Sequence, residues 1–221
     1  MSGRAQEPAG NPAYALQPET QMSFLKLKKS GSPRDLELSM TGLKMGSRAL
    51  QVGGEDPGLI AALAKVVGLS GHACAVSDTE SRTKAFEKAA ESEGVLVETK
   101  TAPLSTIPYD NDFFDLVVLK NILANLRQNE RVLCVQEILR VLRVGGRCVI
   151  IDPAMRGGIG SIFSKRSMDD RYMHNGGAQG ALKNEGFRGV RILADHDGLM
   201  FIEGTKSKVS SDDESSVATP Y

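Results

Sequence analysis

Between residues 49 and 205, short apolar runs alternate with amphipathic stretches, and this alternation constrains the fold more than any other feature. Residues 49–52, 73–76, 95–99, 113–119 and 148–151 read as strands. Between them lie helix signals. Ser32-Pro33 pairs an N-cap with proline at the first helical position, and Leu36, Met40 and Leu43 share a face. Asp56-Pro57 repeats the signal before Leu59, Leu63 and Val66, with Gly68 near the end of that helix. A helix over 82–93 stops at Gly94. The longest spans 129–143, with Val132, Val135, Leu139 and Leu142 on one stripe, Arg140 and Arg143 in its last turn, and Gly145-Gly146 ending it. A short helix over 178–185 ends at Gly186. Two last strands, 188–193 and 199–205, flank the turn Asp195-His196-Asp197-Gly198. Repeated strand–helix–strand units require a parallel sheet covered on both faces, and the final pair makes an antiparallel hairpin. The expected fold is α/β, a Rossmann-like, doubly wound, mostly parallel sheet. Ligands of such sheets bind beyond the carboxyl ends of the strands, here the loops after residues 52, 76, 99, 119 and 151.

Composition narrows the partners. Lys+Arg and Asp+Glu both number 27, so no basic excess supports a nucleic-acid surface. No apolar run approaches the ~20 residues of a membrane span, and the first residues lack the apolar core of a signal peptide. Cys74, Cys134 and Cys148 are too few and too scattered for a disulfide framework or a zinc site. A cytoplasmic, reducing location is expected. Residues 1–21, with Pro8, Pro12 and Pro18 among polar neighbours, read as a flexible arm. Residues 207–221 read as a disordered acidic, serine-rich tail. The folded domain is expected over 22–206.

The first loop, Val52-Gly53-Gly54-Glu55-Asp56-Pro57-Gly58, delivers backbone amides at a helix N-terminus, an anion-binding arrangement. It lacks the Gly-Lys-Ser/Thr of a phosphate loop. It also sets Glu55 and Asp56 where a dinucleotide's pyrophosphate would approach, and that repulsion disfavours such a ligand. S-adenosylmethionine carries a positive sulfonium and no phosphate, so carboxylates suit it. Asp78, just past the second strand, stands where an acid accepts hydrogen bonds from ribose hydroxyls, or caps the next helix.

Taken together, these residues resemble the class I S-adenosylmethionine-dependent methyltransferases, nearest the branch with the ubiquinone/menaquinone C-methyltransferases. The similarity runs over about residues 36–206. It is carried by Leu50-Gln51-Val52-Gly53-Gly54 with Pro57-Gly58, by Val76-Ser77-Asp78, and by Ile107-Pro108-Tyr109-Asp110 through Phe113-Phe114-Asp115-Leu116-Val117-Val118. Glu137-Ile138-Leu139-Arg140-Val141-Leu142-Arg143-Val144-Gly145-Gly146-Arg147 and the end, Glu185-Gly186-Phe187 to Glu203-Gly204-Thr205-Lys206, complete it. The resemblance implies a seven-stranded sheet with S-adenosyl-L-methionine as cofactor and a small-molecule methyl acceptor as substrate. It implies a cofactor site lined by Gln51, Gly53, Gly54, Glu55, Gly58, Asp78, Thr101, Ala102 and Lys120. The chain departs from the pattern at several points. Gln51 stands where the family usually has an acid, Glu55 or Asp56 where it has a second loop glycine, and Val144 where it has proline. None of Lys100, Thr101 and Ala102 supplies the acid that often contacts adenine.

Methyl transfer needs chiefly alignment and exclusion of water, so a dedicated base is optional. Asn121 after the fourth strand, Asp152 after the fifth and His174 are the candidate catalytic residues. Their plain alternatives are a helix-starting polar residue, a strand-end turn residue and a loop histidine. Residues 154–177, locally basic and glycine-rich, read as a cover over the pocket or as a solvated loop. Two further readings stay open: a non-catalytic methyltransferase-like binding or regulatory protein, motivated by Gln51, Glu55 and Thr101, and a nicotinamide-dependent oxidoreductase, which rests on fold alone.

Overall fold

A capping box starts the first helix. The Ser32 hydroxyl accepts from the Asp35 backbone N–H at 3.2 Å, and the Asp35 carboxylate accepts from the Ser32 N–H at 2.7 Å. The computed structural model describes residues 32–154 and 170–208. The expected arm over 1–21, residues 155–169 of the expected cover and nearly all of the expected tail lie outside the described residues.

Helices α1 (Pro33–Thr41), α2 (Pro57–Val67) and α3 (Glu80–Glu93) alternate with strands β1 (Arg48–Val52), β2 (His72–Ser77) and β3 (Glu98–Thr101). Then come β4 (Phe114–Lys120), a 3-10 turn over Leu123–Asn125, α4 (Gln128–Val141) and β5 (Leu142–Pro153). Helices α5 (Asp170–His174) and α6 (Gly177–Asn184) precede the hairpin of β6 (Arg188–His196) and β7 (Leu199–Thr205). The seven-stranded sheet has the order β3-β2-β1-β4-β5-β7-β6. Its first five strands are parallel, and β7 runs antiparallel to both β5 and β6. Chain order reverses between β1 and β4, so that junction is the crevice expected to take a ligand.

Side chains alternate across the sheet and divide the core in two. Leu50, Val52, Val117, Leu119, Cys148 and Ile150 face α4 and α6. Ala49, Ala75, Leu116, Val118, Val149 and Ile151 face α1, α2 and α3. The edge strands β3 and β6 are the least buried, and β6 carries register shifts between Arg188 and Arg191 and between Ile192 and Ala194. Cys74, Cys134 and Cys148 are free and buried.

Several boundaries differ from those expected. Helix α3 starts at Glu80, and β3 starts at Glu98 rather than at residue 95, because Val95 and Val97 pack against the α1–α3 side before strand pairing begins. Helix α4 does not run to the glycine pair. Leu142 is already extended (φ −69°, ψ 137°), and Arg143, Gly145 and Gly146 belong to β5. The buried face of α4 is Cys134, Val135, Ile138 and Val141, so Val132 and Leu139 flank it instead of leading it.

Phe86 of α3 is fully buried against the α1–α3 side of the sheet. Phe86→Ala is expected to lower unfolding stability by about 3–5 kcal/mol, read as a fall in the urea midpoint at unchanged slope.

Candidate functional site

The alternation that divides the core also sorts the polar residues at the carboxyl edge. Gln51 and Lys120 fall on the α1–α3 side, in step with Ala49 and Val118. Asp152 falls on the other, in step with Ile150. Two clusters result, one on each side of the edge.

The first is ionic. Lys120 Nζ donates to Glu37 of α1 at 2.5 Å and to Asp56 at 2.6 Å. Arg34 reaches both Asp56 oxygens at 2.9 Å and also pairs with Glu37. Asp56 occupies the N-cap position of α2, yet its side chain makes no cap hydrogen bond. The expected cap gives way to two cations, Arg34 and Lys120, which take the carboxylate oxygens a cap would use. Burial alone would raise the Asp56 carboxyl. Hydrogen bonds from Lys120 and Arg34, with their charges, outweigh burial and hold it below its usual value. Gln51 Nε2 donates to the Asp56 carbonyl at 2.9 Å, and the buried Gln51 Oε1 has no hydrogen-bond partner.

The glycine loop next to this cluster is crowded. Gly53 has φ +84°, and a Cβ there would lie 2.2 Å from Ile122 Cδ1. A Cβ on Gly54 would lie 2.6–2.8 Å from the Arg82 methylenes. Arg82 pairs with Asp78 at 2.8 Å and with Glu55 at 3.2 Å. Asp78 does not cap α3, whose N-cap is Thr79. Gly58 is exposed, beneath Arg34. Thr101 joins a chain of hydroxyls, Ser77–Thr83–Thr101, with spacings of 2.8 and 2.7 Å. Ala102 packs at the margin of the α4 side of the core.

The second cluster lies beyond β4 and β5. Asn121 is left-handed (φ +56°), a conformation that asparagine tolerates better than most non-glycine residues. Its backbone N–H donates to the Ile151 carbonyl at 3.0 Å. Asp152 is 8% exposed. Burial pushes its carboxyl up to about 6, against a backbone hydrogen bond from Asn121. Tyr172 of α5 is buried, and its phenol is raised by burial and by the Asp152 charge, so the two groups are neighbours. The Arg131 guanidinium lies 4.1 Å from the centre of the Tyr172 ring and donates to the Leu123 and Leu126 carbonyls. Asn121 Oδ1, Asp152 Oδ1 and the Tyr172 hydroxyl are all buried without a hydrogen-bond partner. Asp152, Tyr172, Met173, Ile192, Met200 and Ile202 help line a cavity of about 210 Å³. His174 is exposed at the end of α5.

Among the described residues, no group of His, Cys, Asp and Glu is placed to hold a metal ion, and no helix is long and apolar enough to cross a membrane. Arg34, Glu37, Arg82 and Ile122 were not foreseen from sequence. Arg82 lies four residues after Asp78 on a helix, a spacing that signals an ion pair. Glu37 has a local sign in Arg34, three residues before it, but its tie to Lys120 spans 83 residues.

Lys120→Met leaves Glu37, 2% exposed, with Arg34 as its remaining cation, and a loss of about 1.5–3 kcal/mol is expected in chemical denaturation. Asp152 has the opposite linkage. Its folded pKa is raised, so it favours folding below about pH 4 and that contribution disappears as pH rises through about 6. From pH 4 to 7.5 the wild type should lose about 3 kcal/mol relative to Asp152→Asn, measured as the difference between their urea-unfolding free energies.

Residues 50–150 match the family model of a methyltransferase domain. Over 117 residues the chain is 25% identical to the ubiquinone/menaquinone biosynthesis C-methyltransferase UbiE of Vibrio vulnificus. That alignment takes in 52% of this chain and 44% of the relative, so the chain spans less than half the length of the curated relative it matches. A SAM-dependent methyltransferase from Aquifex aeolicus superimposes with a TM-score of 0.62 at 20% identity, over 79% of this chain and 89% of that one. The cyclase SpnF superimposes with a TM-score of 0.54 at 20% identity, over 73% of this chain and 57% of its own. At such identities these structures speak for the fold alone. Family match, relatives and fold agree: residues 50–150 match a methyltransferase domain, and the chain is similar to the class I S-adenosylmethionine-dependent methyltransferases.

Proposed function

We propose that the chain binds S-adenosyl-L-methionine at the carboxyl edge of β1, β2 and β4 and methylates a small, largely apolar molecule held against Asp152, Asn121 and Tyr172. The observation that carries this reading is the trio of buried polar atoms without partners at that second cluster. Such atoms are costly to leave unpaired, and perturbed carboxyls in a cavity mark functional sites.

The residues of the first cluster suit the cofactor. Gln51 Oε1 is a buried acceptor lacking a donor, which an ammonium group supplies. Around the loop, Glu37, Glu55, Asp56 and Asp78 outnumber Arg34, Arg82 and Lys120, a balance that favours a ligand of net positive charge over a pyrophosphate. When bound, the cofactor supplies a methyl group already activated by its sulfonium. The chain's own residues then position and deprotonate the acceptor. Asp152, ionised above about pH 6, receives the proton that the acceptor gives up. Tyr172 stays protonated and offers a hydrogen bond to an acceptor oxygen or nitrogen. Met173, Met200 and Ile202 exclude water from the cavity. A cytoplasmic setting agrees with three unpaired, buried thiols.

Isothermal titration of the full chain with S-adenosyl-L-methionine is expected to show one-to-one binding, and no heat at millimolar ligand would remove the reading. With an acceptor found by screening small phenols, enols and amines, Asp152→Asn should lower kcat by about 100-fold or more. Its KM for the cofactor should stay unchanged, and the wild-type rate should rise with pH through about 6.

A further inference from the structure

Arg82 lies between two carboxylates of the candidate cofactor site, Asp78 and Glu55. It projects from α3 over the glycine loop, and its methylenes rest so close to Gly54 that a Cβ there would come within 2.6–2.8 Å of them. Its guanidinium spans the gap between Asp78 at the end of β2 and Glu55 in the loop, at 2.8 and 3.2 Å. Asp78 is the carboxylate whose position after β2 fits hydrogen bonds from ribose hydroxyls. A guanidinium held on Asp78 competes for the oxygens those hydroxyls would use, and its stem covers the loop backbone that the ligand would approach. Arg82 is 41% exposed and Asp78 44% exposed at the side chain, so the bridge is open to solvent and to screening by salt.

We propose that Arg82 is a self-supplied occupant of the cofactor cleft, a latch that must release Asp78 before the cofactor can bind and that thereby sets cofactor affinity. The proposal rests on the cofactor reading above. A latch built from two half-exposed ion pairs is weak enough to open thermally and strong enough to lower affinity measurably. Because the competing bridge is ionic and the ribose contacts are hydrogen bonds between an ion and neutral hydroxyls, added salt weakens the latch more than it weakens those contacts. Releasing Arg82 also removes a positive charge from beside Asp78, which favours a ligand of net positive charge.

The test is titration calorimetry of S-adenosyl-L-methionine into the full wild-type chain, Arg82→Ala and Arg82→Gln, each at about 20 and 300 mM sodium chloride, with thermal melts to verify folding. Both variants are expected to bind about three- to tenfold more tightly than wild type at low salt. The gap should narrow at high salt, with Arg82→Gln, which keeps most of the length but not the charge, close to Arg82→Ala. Equal affinity in all three chains leaves the cofactor reading intact and overturns the latch. Weaker binding by the variants overturns it too, because Arg82 would then be a ligand contact. Binding by none of the three removes the cofactor reading and the latch together.

Discussion

Lys120 is the fixed point of the carboxyl edge. Its ammonium is shared between Glu37 on α1 and Asp56 in the β1–α2 loop, so one group at the end of β4 holds together elements far apart in sequence. Glu37 is deeply buried, and leaving a buried charge unpaired costs several kcal/mol. The shape of the glycine loop therefore depends on α1 being docked. Gln51 adds to the same dependence by holding the Asp56 main chain while Arg34 and Lys120 hold its side chain. In many loops of this kind the residue before the helix serves the helix end. Here it serves the tertiary structure, and α2 starts without a side-chain cap.

The period-two geometry of the strands has a chemical result. Consecutive strand-end residues point to opposite sides, so the ion pairs of Lys120 gather on the side of α1 and α2, while Asp152 and Tyr172, each with an unpartnered buried oxygen, gather on the side of α5 and α6. The two sides impose opposite pH behaviour on their carboxyls, Asp56 lowered by its cations and Asp152 raised by burial. Asp56 contributes stability that is present at neutral pH and is lost in acid, whereas Asp152 opposes folding at neutral pH. A group that weakens the fold it belongs to, next to a cavity, is more readily understood as serving a ligand than as serving the core.

Much of the architecture was legible because strands of period two, helices of period near four and glycine or proline punctuation are local signals. They placed all seven strands and the antiparallel close. They misjudged the end of α4, since a glycine pair looks the same after a helix as inside a strand. In the fold, Gly145 N–H donates to Lys206 O at 2.8 Å and Gly146 O accepts from Lys206 N–H at 3.0 Å, so the pair is tied to the chain just beyond β7. Alternation from Val95 suggested an early β3, but pairing with β2 starts only at Glu98. The first and second loops were also legible as the place to look. The side chains that fill them were not, because Arg82 meets Glu55 across 27 residues and Lys120 meets Glu37 across 83. Nothing local to Ile122 announces that it lies against Gly53.

The margins of the sheet have a consequence for how the chain behaves among its own copies. One edge strand is the four-residue Glu98-Thr99-Lys100-Thr101, and the other is β6, with Arg188, Arg191, Asp195 and His196 exposed along a doubly irregular ladder. Short length, charge and bulges each make a poor template for a further strand. A chain whose positive and negative residues cancel has little long-range repulsion to keep copies apart. Resistance to stacking edge to edge is thus built into the two rims, and a change that smooths β6 or neutralises its arginines would make that rim a better template for strand pairing between copies.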